Sequence, residues 1–122
     1  MLFCFDVDGT LLTDEMENEG QYVKGTIPTK TLSLLELAGH KVVIVSPSPF
    51  RPDGFKVFAR NESNDYRWEN IQDAMDYYGI TDKSDVIYVD DLQLNRIMII
   101  QWGVDSYSPN GFLMFIEMKR YI

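Results

Sequence analysis

Five acidic or hydroxyl groups stand at the ends of apolar runs. Asp6 and Asp8 close the run Leu2 to Val7, with one residue between them. Ser46 follows Lys41 to Val45, and Asp90-Asp91 follows Val86 to Val89. A carboxylate can attack an electrophile, carry a proton or hold a hard cation. Carboxylates brought together cost Coulomb energy unless a cation sits among them or they share a proton. Oxygen ligands with no His or Cys cluster favour Mg²⁺ over zinc.

These groups meet only if the runs are neighbouring parallel strands. The runs Leu2 to Val7, Lys41 to Val45, Phe55 to Ala59 and Val86 to Val89 are largely unbroken rather than alternating. That pattern predicts strands covered on both faces. Between the first two, Pro28 to Ala38 has Leu32, Leu35 and Ala38 at helical spacing and Gly39 as a stop. Arg67 to Tyr78 carries Trp68, Ile71, Met75 and Tyr78 on one face, read as core, with Gly79 at its end and caps in Asn61 to Asp65. A third helix is expected from about Leu94 to Trp102, then a fifth strand from Val104 to Tyr107. The tail from Phe112 to Ile122 fits either a strand or a helix, closing the core or forming an interface in a homo-oligomer. Alternating strands and helices predict an α/β, Rossmann-like three-layer fold with a mostly parallel sheet. Right-handed crossovers bring all strand carboxyl ends to one edge, where such sheets bind ligands.

The 122 residues fit a single domain spanning 1–122. No apolar run approaches the roughly 20 residues of a membrane span. The apolar start lacks a basic region and is interrupted by Asp6 and Asp8, unlike a signal peptide. One cysteine, Cys4, cannot form an internal disulfide and reads as a small buried hydrophobe, so a cytoplasmic location is the expectation. The formal net charge of -8 disfavours a nonspecific nucleic-acid surface, though a bound cation could still admit a nucleotide.

Phe5-Asp6-Val7-Asp8-Gly9-Thr10-Leu11 resembles the first motif of the haloacid dehalogenase-like (HAD) hydrolases, an apolar strand followed by Asp-x-Asp-Gly-Thr. Val43-Ile44-Val45-Ser46 resembles the second motif and Val86 to Asp91 the fourth, in family order over roughly Met1 to Tyr107. The resemblance implies that Asp6 is a nucleophile forming an aspartyl-phosphate and that Asp8 is the general acid and base. It implies Mg²⁺ held by the Asp6 carboxylate, the Asp8 backbone carbonyl and Asp91. Ser46 would bind a phosphoryl oxygen, while Asp90 would orient a cation. An acid at Asp8 implies phosphatase or phosphotransferase chemistry rather than dehalogenation.

Two positions depart from the family pattern. Its third motif is normally a Lys; Lys83 directly precedes the fourth strand and so belongs at that strand's far end. Arg67, at the amino end of the preceding antiparallel helix, is the expected replacement, with Arg51 and Arg60 as possible helpers. This exchange is what motivates the competing expectation of a non-catalytic metal- or partner-binding module. Asn95 stands where many members carry another Asp. His40 is expected at an exposed helix end on the edge away from the site, and Asp14, Glu15, Glu17 and Glu19 as a solvated loop. The intervals before Pro28 and after Ala59 are too short for a cap domain, so an open site is expected, serving a small phosphorylated molecule or a macromolecular end.

Overall fold

The computed structural model describes residues 1–13, 23–60 and 67–121. In chain order these form β1 (Leu2–Phe5), β2 (Leu11–Leu12), β3 (Ile27–Pro28), α1 (Thr29–Leu37), β4 (Lys41–Ile44) and β5 (Lys56–Val57). They continue with α2 (Arg67–Tyr78), a short 3-10 turn (Lys83–Asp85), β6 (Val86–Val89), α3 (Gln93–Trp102), β7 (Asp105–Tyr107) and α4 (Pro109–Lys119). The acidic run from Asp14 to Glu19 and the expected caps from Asn61 to Asp65 lie outside the described residues.

Five strands make one sheet in the order β5-β4-β1-β6-β7, and every neighbouring pair in it is parallel. The chain therefore steps outward from β1 to β5, then returns to the other side of β1. Strand order switches beside β1, the position at which open α/β sheets form ligand crevices. Register keeps the strand ends level: Phe5 sits between Ile44 and Val89. The ladder runs one step further, with the Asp6 N–H on the Val89 carbonyl at 3.0 Å and the Val45 N–H on the Phe5 carbonyl at 2.9 Å.

Both faces of the sheet are covered, which explains the unbroken apolar runs. Phe3 and Phe5 point to one face and pack with Leu32 and Leu35 of α1 and Phe112 and Ile116 of α4. Leu2 and Cys4 point to the other, with Ile71 and Met75 of α2 and Ile99 of α3. All four residues of β1 are fully buried. At roughly 1.5–3 kcal/mol for each large apolar side chain withdrawn from water, this strand is a rigid base for Asp6 at its end. The buried thiol of Cys4 is pushed far above its ordinary range by desolvation, as befits a small core hydrophobe.

The helices over Arg67–Tyr78 and Gln93–Trp102 match expectation, the second stopping at Gly103 in the left-handed conformation (φ 113°). The tail, which the sequence left open to strand or helix, is a helix: Ser108 caps it by accepting from the Gly111 N–H at 3.1 Å, with Pro109 in its first turn. Other expectations are corrected. The third strand shrinks to Lys56–Val57. Trp68 is not core; it is exposed and lies against Trp102 with ring centroids 6.0 Å apart, while Ile71 and Met75 carry the buried face. His40 does sit at the edge away from the strand carboxyl ends, but it is half-buried, edge-on to Phe3 and Tyr121. The small parallel pair of β2 and β3 was not expected; it joins the residues after the first motif to the start of α1. Among the described residues no helix is long and apolar enough to cross a membrane.

Candidate active site

At the carboxyl edge of the sheet, Asp6, Asp8, Ser46, Arg67 and Asp91 line one open cleft of about 960 Å³. Asp6, one step beyond β1, is only 5% exposed. Thr10 donates its hydroxyl to Asp6 Oδ2 at 3.2 Å, and its own Oγ1 accepts from the Asp91 N–H at 3.2 Å. Thr10 is fully buried and so ties the end of β1 to the end of β6. The expectation gave it no role, although it stands within the first motif.

Arg67 opens α2, whose amino end comes to the carboxyl edge of the sheet because the helix runs back against the parallel strands. One of its nitrogens, Nη2, lies 3.4 Å from Asp6 Oδ1, and Nη1 donates to the Val45 carbonyl. Lys83 is at the opposite edge, its Nζ donating to the Trp102 carbonyl at 2.7 Å and lying 4.0 Å over the Trp102 ring. Arg60 is also elsewhere, contrary to the suggestion that it helps. It pairs with Glu69 at 2.6 Å and Asp73 at 2.8 Å on the outside of α2. Arg51 does line the cleft, exposed at its rim, with Nη1 on the Ser48 carbonyl at 3.3 Å.

Ser46 accepts the Ser48 N–H at 3.2 Å, which leaves its hydroxyl proton free to be donated. Asp8 is exposed, and its Oδ1 accepts from the Ser48 hydroxyl at 2.8 Å. Sequence reasoning missed Ser48. Its signal was faint: a second hydroxyl two residues after Ser46, between Pro47 and Pro49.

The carboxylates of Asp6, Asp90 and Asp91 approach so closely that one oxygen from each lies within 4.8 Å of the others. Asp90 is fully buried and heavily bonded: it accepts from the Tyr88 hydroxyl, from Asn95 Nδ2 at 2.8 Å and from the Leu92 N–H at 2.9 Å. The expectation that Asp90 orients a cation is amended. Arg96 takes its backbone carbonyl at 2.8 Å, and the carboxylate takes neutral donors. The Asn95 departure makes sense here, because an amide can donate to Asp90 where an ionised Asp could not. Asp91 differs: its Oδ1 is buried with no hydrogen-bond partner among the described residues.

Such crowding moves the titrations. Burial chiefly, then the charge of Asp90, pushes Asp6 up to about 8 despite the opposing charge of Arg67. Burial, followed by hydrogen bonding to and repulsion from Asp90, raises Asp91. One guanidinium does not compensate this many acids. The donor set fits a hard divalent cation on three grounds: oxygen ligands only, a buried orphan oxygen on Asp91, and carboxyls that need positive charge to ionise at neutral pH. Gly9 completes the cradle. Its φ is +77°, and a Cβ there would lie 2.2 Å from Asp91 Oδ2.

No family model, curated protein or solved structure matches the chain.

Proposed function

We propose that the protein is a Mg²⁺-dependent phosphatase that hydrolyses a phosphomonoester through an aspartyl-phosphate on Asp6. The observation that carries this reading is the convergence of Asp6, Asp8, Ser46, Arg67 and Asp91, drawn from four separate chain segments, on one cleft. The resemblance of three motifs to the HAD-like hydrolases supports it.

The Asp6 carboxylate attacks phosphorus while the bond from phosphorus to the leaving oxygen breaks. Asp8 gives that oxygen its proton. A water then attacks the acyl-phosphate, Asp8 takes up the water's proton, and inorganic phosphate leaves with Asp6 restored. Thr10 and Arg67 each hold one oxygen of Asp6, fixing the carboxylate's plane for attack. Arg67 also faces the charge that builds on the phosphoryl oxygens, and Ser46 donates its free hydroxyl proton to one of them. Mg²⁺, held by Asp6, Asp91 and the Asp8 backbone carbonyl, would supply the positive charge that lets an anionic nucleophile meet an anionic phosphoryl group. Asp90 accepts from Tyr88, Asn95 and the Leu92 N–H, and so fixes the turn after β6 that carries Asp91.

The intervals 13–26 and 58–66 are shorter than a typical domain. The reading therefore takes the cleft as capless, able to admit a small phosphorylated molecule or a phosphate on a macromolecular end. The test is turnover of an aryl phosphate with Mg²⁺ and with chelator. Asp6→Asn abolishes turnover, and Asp8→Asn lowers it by roughly 10²–10⁴-fold. Activity that survives Asp6→Asn or the chelator contradicts the mechanism.

A further inference from the structure

We infer that Ser48 is a positioning residue for the proton transfer to the leaving group, acting through Asp8; this rests on the phosphatase reading. Asp8 is the exposed member of the acidic set and lies on the turn after β1, so its side chain needs an external anchor. Ser48 provides one from the loop after β4. Its hydroxyl donates to Asp8 Oδ1 at 2.8 Å, while its Oγ accepts the Phe50 N–H at 3.2 Å. A hydroxyl has one proton, and with an N–H already approaching its lone pairs, that proton is directed at Asp8. The Ser48 backbone N–H is spent on Ser46 Oγ at 3.2 Å. One residue thus joins the phosphate-binding hydroxyl to the proton carrier, and at 7% exposure it is held nearly out of solvent.

The consequence is a division of labour between the two oxygens of Asp8. Oδ1 is kept as an acceptor by Ser48, so the transferable proton resides on Oδ2. In the first step that proton passes from Oδ2 to the leaving oxygen as its bond to phosphorus breaks and the bond from Asp6 to phosphorus forms. In the second, Oδ2 takes the proton of the attacking water. Ser48 gives up no atom in either step.

The test compares kcat/KM for two phosphomonoesters with Mg²⁺ present. A nitrophenyl phosphate has a leaving group that departs as an anion; a simple alkyl phosphate has one that must be protonated. Ser48→Ala lowers the ratio of alkyl to aryl kcat/KM by roughly tenfold or more, the share of general acid catalysis lost when the acid is misplaced. Ser48→Thr, which keeps the hydroxyl, restores the ratio. In an Asp8→Asn background, Ser48→Ala leaves the ratio where Asp8→Asn put it, since the two act as one unit. An equal loss on both substrates, with a lowered melting temperature, identifies Ser48 as structural only and overturns the inference. So does an unchanged ratio. If the unaltered chain hydrolyses neither ester, the phosphatase reading itself has failed and the inference falls with it.

Discussion

As the proposed nucleophile, Asp6 would carry two opposed demands: it must be ionised to attack, yet burial chiefly, then Asp90, raises its carboxyl to about 8. The raised value has a consequence for stability. A carboxyl whose folded value lies above its unfolded one stabilises the fold most below about pH 4, and that contribution is lost as pH rises towards about 8. Asp91 shifts in the same direction. On the proposed reading a divalent cation would replace the proton, so Mg²⁺ would stabilise the fold more at the upper end of that window and release protons on binding. Melting temperatures measured with and without Mg²⁺ show a gap that widens from pH 5 to pH 8, and Asp91→Asn removes most of it. A gap that is constant with pH would mean that cation and proton do not share these carboxylates. For single residues the sequence was only partly informative. Asp6, Asp8, Ser46 and Asp91 stood out because each lies at the end of an apolar run. Ser48 did not, because the partner that gives it meaning is Asp8, far away in the chain and reached only through the β1–β4 pairing.

Among the elements, α2 was legible at both ends because its apolar spacing and Gly79 bound it, and Arg67 at its start was thereby placed at the carboxyl edge of the sheet. The fate of Arg60 was not legible. β5 ends at Val57, and Glu69 and Asp73 on α2 draw the guanidinium outward. The pair β2 and β3 escaped notice because two-residue strands leave no periodic pattern, and their pairing spans the loop between the first motif and α1. The tail's many apolar residues obscured its period; the cap at Ser108 and Pro109 was the better signal. The turn after β1 is the element most exposed to a test. Gly9→Ala puts a methyl group into the Asp91 carboxylate and strains a left-handed residue, for a cost of about 1–3 kcal/mol. Thermal unfolding reads that cost and calorimetry reads Mg²⁺ affinity. Both fall in this variant, and an unaltered Mg²⁺ affinity would mean that Asp91 is not a ligand.

Across the whole molecule, a parallel sheet whose strand order switches beside β1 brings the ends of β1, β4 and β6 to one edge. The fold class was readable from unbroken apolar runs alternating with helices, since burial on both faces imposes that pattern. The net charge of -8 agrees with the proposed site, in which a cation would be needed to admit an anion. Everything proposed for the cleft depends on Asp6 being the group that bonds phosphorus, and a phosphoryl mimic tests this without turnover. The protein is mixed with Mg²⁺ and beryllium fluoride, then studied by fluorine NMR and crystallography. The expected product is a beryllium trifluoride bonded to an Asp6 carboxylate oxygen, lost in Asp6→Asn. A protein that binds Mg²⁺ yet forms no adduct, or forms one on another residue, would show that this cleft holds a metal without the nucleophile assigned to it.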